Sequence, residues 1–249
     1  MAHVEISPGP SAVALVGGRL RLDDRVGELC GISLWEATDE LLCRPVTVHM
    51  LSPAFPVGTG VVAVVRAAAR VTDPQLARIF DAGYAGCPYI VSEWAPRDCV
   101  EDLLIAGLRG PALAAAIVGD GADALAATHD AGRPHLCLCL GLRSLRWGAS
   151  GVKITGLDIE AGLAGLNAGD PAAADTRALG RSLYALPTGC WPGEDATMLP
   201  PAPQRRGRLY APWQVRAPGV LNSIVGRTLQ PLLPGASGAA RGLAPAVRD

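Results

Sequence analysis

The chain has 249 residues, 49% of them hydrophobic and 18% charged, with a formal net charge of −1. That length buries a sizeable core in one bilobal domain or two small ones, and so balanced a charge offers no basic surface for nucleic acid or an acidic membrane. The seven cysteines form an odd set without regular spacing, and the start Met1-Ala2-His3-Val4-Glu5 lacks the basic and apolar stretches of a signal peptide, so free thiols in a reducing cytoplasm are expected.

Residues 1–17 contain Pro8-Gly9-Pro10 without helical periodicity and read as a flexible leader. From 18 to 51, short β-branched or apolar runs alternate with turn signals such as Asp23-Asp24 and Asp39-Glu40, which predicts an antiparallel sheet. Pro56-Val57-Gly58 opens a helical run over about 59–71, closed by Thr72-Asp73-Pro74, and Leu76–Asp81 and Tyr89–Trp94 supply two further strands. After Ala95-Pro96-Arg97-Asp98 the pattern turns helical, at roughly 100–107 and 111–131 and again at about 175–187. A Pro- and Arg-rich connector over 199–218, a last helix near 220–230 and a Pro/Gly/Ala tail complete the chain. The expected organisation is therefore a leader (1–17), a mainly β lobe (18–94), a mainly helical lobe (95–232) and a disordered tail (233–249). Val61–Val71 is interrupted by Arg66 and Arg70, and Ala112–Ala127 by Asp120 and Asp123. Neither reaches the roughly 18 to 20 uncharged residues that span a bilayer, so a soluble chain without a transmembrane segment is expected.

Several motifs recur in register over about residues 18–231. Val26-Gly27-Glu28-Leu29-Cys30-Gly31-Ile32 precedes Pro45-Val46-Thr47-Val48-His49-Met50; Pro88-Tyr89-Ile90-Val91-Ser92-Glu93-Trp94 follows; then come Thr128-His129-Asp130-Ala131-Gly132-Arg133-Pro134-His135-Leu136-Cys137-Leu138, Val152-Lys153-Ile154-Thr155-Gly156-Leu157-Asp158 and Asp175-Thr176-Arg177-Ala178-Leu179-Gly180. Together these resemble the bacterial serine/threonine protein kinase family in a degenerate, pseudokinase form, similar to the pseudokinase domains of actinobacterial proteins related to MviN. The resemblance implies an α+β, protein kinase-like bilobal fold: a small antiparallel β lobe with one helix, and a reduced helical second lobe.

Position by position, the resemblance also implies what chemistry is missing. Family members grip the nucleotide phosphates with a glycine-rich hairpin and a V-A-x-K lysine. Here Gly27 alone of the three glycines remains, Leu29 and Ile32 stand at the other two, and His49 takes the lysine's place. The partner glutamate, ten residues before the proline matched by Pro74, becomes Val64, so both ends of that ion pair are replaced together. Cys137 occupies the place of the aspartate that orients the substrate hydroxyl, Leu142 that of the metal-binding asparagine and Gly156 that of the magnesium-binding aspartate. Asp175 matches the aspartate that holds the catalytic-loop backbone, and its carboxylate is expected to accept amides of the loop around His135–Cys137. Only 16 residues separate Asp158 from Asp175, too few for a full activation segment, and Ile159–Ala174 contains neither Ser nor Thr.

On this reading the chain is not an enzyme. It is a cytoplasmic scaffolding or regulatory module without cofactor or metal, serving cell-envelope (peptidoglycan precursor) regulation, with an active kinase and a phosphothreonine-reading forkhead-associated protein as its implied partners. The alternative is an atypical protein kinase or a residual ATP-binding protein. Competing uses of single residues are weaker. His49 as a proton donor competes with a packed strand histidine. His135, Cys137 and Cys139, with His129, lack the spacing of usual structural zinc sites, and Cys137 with His129 lacks the orienting group of a thiol hydrolase. Asp158 falls two positions late for the missing metal ligand, and Arg205-Arg206-Gly207-Arg208 reads as a solvated cluster unless a phosphate or acidic partner meets it.

Overall fold

The computed structural model of the chain describes residues 15–29, 32–52, 65, 69–96, 98–132, 142–156, 170–193, 197–205, 208–209, 224–225 and 229. The chain divides into two compact units, one of residues 1–66 and 78–95, the other of residues 67–77 and 96–249. The elements follow the α+β organisation expected, with the antiparallel sheet in the first unit and the longer helices in the second.

The first unit is a six-stranded antiparallel sheet in the order β1-β2-β3-β4-β6-β5, with β1 Leu15–Val16, β2 Leu20–Leu29, β3 Ile32–Asp39, β4 Arg44–Leu51, β5 Ile79–Tyr84 and β6 Pro88–Glu93. Alternation along the strands sends Leu20, Leu22, Trp35, Ala37, Val46, Val48, Met50 and Val91 to one face, where they pack with Val16. Two shifts of register, between Leu22 and Asp24 and between Arg25 and Gly27, increase the twist of β2. The sheet curls until its edges approach. Arg19, in the β1–β2 turn, pairs with Asp39 at 3.5 Å and with Asp81 of β5 at 3.2 Å. Tyr89 of β6 needs glycine on both sides, because a Cβ on Gly83 would lie 2.6 Å from its ring Cζ and one on Gly17 would also collide with its hydroxyl. β1 falls inside the stretch read as a leader, and the predicted strand at 76–81 begins at Ile79. Of the helical run expected at 59–71, Val65 is helical and most of the rest lies outside the described residues.

The second unit is built on α1 Val100–Ile105, α2 Pro111–Asp130 and α3 Pro171–Thr188, with a 3-10 turn at Leu142–Ser144 and two hairpins: β7 Leu145–Gly148 with β8 Gly151–Ile154, and β9 Gln204–Arg205 with β10 Arg208–Leu209. Pro111 and Pro171 open their helices at the first position, where a missing N–H is harmless. Asp170 caps α3 by accepting the Ala173 amide at 3.0 Å, which starts the helix several residues before the predicted boundary. Gly189, at φ 70°, ends it in the left-handed conformation that glycine tolerates. α2 buries an Ala-rich face, and Gly121 lets Leu179 of α3 come within 3.3 Å of where a Cβ would sit. The chain at Gln75–Ala77 adds to the β7–β8 hairpin: Ile154 N donates to Gln75 O at 2.6 Å, Ala77 N to Ile154 O at 2.8 Å, and Lys153 Nζ to Pro74 O at 2.7 Å. Hence residues 67–77 group with the helices and not with the sheet. In the last predicted helix, Ile224, Val225 and Leu229 are helical.

Candidate functional site

In the sheet unit, β4 carries the residue that stands in the lysine's place. Val46, Val48 and Met50 occupy the apolar face, so Thr47, His49 and Leu51 project from the other. There Thr47 lies opposite Ser92, and His49 lies between Leu34 and Ile90. His49 is 6% exposed, Ser92 is 5% exposed, and His49 Nε2 is 3.1 Å from Ser92 Oγ. An imidazole nitrogen and a hydroxyl can serve each other as donor and acceptor, so each finds a polar partner on the adjacent strand in this buried place. Ile32, at the third glycine position, is 2% exposed and pairs with Leu51, so its side chain belongs to the core. Gly27 lies within β2 opposite Leu34.

In the helical unit, Leu142 is buried and opens the 3-10 turn, which leads directly into β7. Gly156 follows β8 with φ 88°, a conformation that side-chain-bearing residues seldom adopt. Asp175 is fully buried in α3, and its Oδ2 lies 2.9 Å from His129 Nε2, near the end of α2. With the carboxylate ionised, Nε2–H is the donor, and the bond ties two helices across 46 residues of sequence. The expected partner of Asp175, the loop around His135–Cys137, lies outside the described residues, as do Val64, Cys139 and Asp158. Arg205 and Arg208 face each other in register on β9 and β10. Among the described residues no cluster of histidine, cysteine and carboxylate side chains is grouped to hold a metal ion.

Three features escaped sequence reasoning. Ser92 as the companion of His49 depends on the pairing register of β4 with β6, although a lone Ser inside the apolar run Tyr89–Val91 was a signal. Glu101 is 1% exposed on α1, and it accepts from Thr197 and Met198, 96 and 97 residues further along the chain. Cys99, the residue before α1, gives its thiol to Asp102 Oδ2 at 2.8 Å; burial and then that bond push the thiol up to about 11.

Among known protein families none matches the chain, and no curated protein matches it in sequence. Solved structures do match. The kinase domain of Mycobacterium tuberculosis PknI superposes with a TM-score of 0.70 at 17% identity, over 96% of this chain and 98% of that one. Rad53 residues 1–466, solved in complex with AMP-PNP, superposes with a TM-score of 0.69 at 17% identity, over 91% of this chain and 64% of that one. The fold is thus that of serine/threonine protein kinase domains. This corrects the expectation that the chain is not an enzyme. Solved kinase domains share its architecture nearly end to end, and of the five positions on which the expectation rested, Val64 and Cys137 lie outside the described residues. A substituted position in a motif also leaves open that another side chain supplies the same charge, so loss of the machinery does not follow from the substitutions.

Proposed function

We propose that the chain is an atypical serine/threonine protein kinase domain that also serves as a regulatory and scaffolding module in signalling. The observation that carries this reading is the end-to-end match in fold with the PknI kinase domain. The lobes are taken as 18–94 and 95–232. With His49 in the lysine's place, the phosphates would be positioned by other groups, and turnover is expected below the roughly 1–100 s⁻¹ usual for kinases. The partners implied are an active kinase and a phosphothreonine-reading forkhead-associated protein, in cell-envelope regulation on the cytoplasmic side.

The test is incubation of the chain with γ-labelled ATP and Mg²⁺ or Mn²⁺, with label counted in the chain and in a general acceptor protein, beside a melting curve with and without nucleotide. Slow, metal-dependent labelling is expected, with stabilisation of about 2.7 kcal/mol when ATP stands at 100 times its dissociation constant. Neither label nor a saturable thermal shift would overturn the enzymatic part of the proposal.

A further inference from the structure

Among the described residues, four hydroxyls of the helical unit bond back into their own helix: Thr128 to Leu125 O, Thr176 to Ala172 O, Ser182 to Ala178 O and Thr188 to Tyr184 O. Thr197 does otherwise. It is half-buried outside regular structure, its neighbour Met198 is 70% exposed, and its hydroxyl donates across the unit to Glu101 Oε1 at 2.5 Å. The same oxygen accepts the Met198 amide at 2.8 Å, while Thr197 Oγ1 accepts the Leu199 amide at 3.2 Å. The second oxygen, Oε2, has Arg143 Nε beside it at 2.8 Å as an ion pair, without the alignment of a hydrogen bond. One buried carboxylate therefore latches residues 197–199 onto α1. Beyond the latch, Trp191 N donates to Pro200 O and Ala202 N to Trp191 O, each at 2.8 Å.

We propose that Thr197 is a phosphorylation site, and that its phosphate opens this latch. A protein kinase acting in trans supplies the γ-phosphoryl group of ATP. Thr197 Oγ1 forms the new P–O bond, the bond from the γ-phosphorus to the β–γ bridging oxygen breaks, ADP leaves, and the hydroxyl proton passes to that kinase's catalytic carboxylate. The bond to Glu101 must open before the hydroxyl is reached, so modification captures the open segment. Closure is then opposed, because the phosphate carries about −1.5 to −2 charges, has lost the donor that Oε1 accepted, and would press against a carboxylate already removed from water. Arg143, whose side chain is 50% exposed, is the cation placed to leave Glu101 for the phosphate. Ser150, in the exposed β7–β8 turn, has no such connection to α1, so a phosphate there would leave the latch untouched. The inference rests on this geometry alone and stands whether or not the chain itself transfers phosphate.

The experiment uses the whole chain, purified with and without co-expression of an active serine/threonine kinase, mapped by peptide mass spectrometry and by amide hydrogen exchange. Phosphate on Thr197 is expected, with exchange at Met198 and Leu199 faster by roughly tenfold or more, the factor that loss of one charge-assisted hydrogen bond implies. Thr197→Glu should reproduce most of that rise and Thr197→Val less of it. Phosphate on other residues only, no phosphate, or Thr197 phosphate with unchanged exchange at Met198 would each overturn the proposal, as would Thr197→Glu exchanging no faster than Thr197→Val.

Discussion

At the centre of the curled sheet the buried polar side chains Thr47, His49 and Ser92 are a hydroxyl, an imidazole and a hydroxyl, and His49 bonds Ser92 on the adjacent strand. In the helical unit the buried polar anchors Glu101 and Asp175 are carboxylates tied to residues 96 and 46 positions away. The contrast has a physical basis. A strand offers its neighbour side chains every second residue, so a neutral group finds a partner close by on the next strand. Helices satisfy their own backbones and meet through side chains, so a charge shared between them fixes their relative placement, and its loss strands the partner in a low-dielectric place. Asp39, the buried carboxylate of the sheet unit, accepts the amides of Leu41 and Leu42 in the turn that follows β3, and its ion pair is with Arg19, next to its register partner Leu20 on the adjacent strand.

If that contrast is right, the largest effect should come from Asp175→Ala. The substitution removes a fully buried acceptor from His129 and is expected to destabilise the chain by about 3 kcal/mol, seen as a lower denaturation midpoint with little change in slope. Asp175→Asn, which keeps an acceptor oxygen without the charge, should lose less. An unchanged midpoint for Asp175→Ala would mean that the helices are not tied at this point, and the difference between the two units would disappear.

Much of the framework is legible in the residues themselves, and the limits follow a rule. Alternation and turn residues mark β2 to β4, and the Ala/Leu periodicity of 111–131 marks α2, because these signals are local. Asp170-Pro171 would have placed the start of α3, since an acidic cap followed by proline at the first helical position is also a local signal. The pair Gly148 and Gly151 around Ala149-Ser150 likewise marks the β7–β8 turn. What could not be read is any bond across the fold: His49 with Ser92 depends on strand register, and Glu101 with Thr197 on the docking of a distant loop. Asp175 lies between these cases. Motif resemblance singled it out as an anchor, but its described partner is His129 of the motif Thr128–Leu138, six residues before the expected loop.

A second, smaller effect tests the Gly156 position. Because its φ is 88°, Gly156→Asp places a side chain in a left-handed backbone and is expected to cost about 1 kcal/mol, so restoring a carboxylate at the magnesium position would weaken the fold locally. Stability equal to the parent chain, together with tighter binding of Mg²⁺ and ATP, would show that the segment after β8 adapts readily. Smaller again is the alkaline response of Cys99. Its thiol is raised from 9.0 to about 11 in the folded chain, so stability from this group is complete below about pH 9 and falls as pH rises through 11. Allowing for solvent screening, the loss by pH 10 is under about 1 kcal/mol. Cys99→Ala should flatten that part of the stability profile, and Cys99 should resist alkylation under conditions in which the exposed Cys43 is modified. Equal alkylation of the two thiols at pH 8 would show that Cys99 is not buried.

The smallest effect is expected where the sheet's polar pair is replaced as a unit. His49→Leu alone removes one partner and leaves the Ser92 hydroxyl buried with its bond broken, a loss of about 1 kcal/mol. Ser92→Ala alone removes the hydroxyl that the imidazole meets across the strands. Together, His49→Leu and Ser92→Ala remove both partners of one bond and place apolar groups on strands already packed on both faces. The double variant should therefore lose less than the sum of the two single losses, a coupling that a double-mutant cycle reads directly. The same cycle on Asp175 and His129 should leave a larger deficit, because a charged acceptor and a cross-helix tie are lost together. Additive losses at His49 and Ser92, each near 1 kcal/mol, would show that the bond between them contributes little. The sheet would then anchor its polar groups as the helical unit does, and His49 would owe its place mainly to groups other than the hydroxyl beside it.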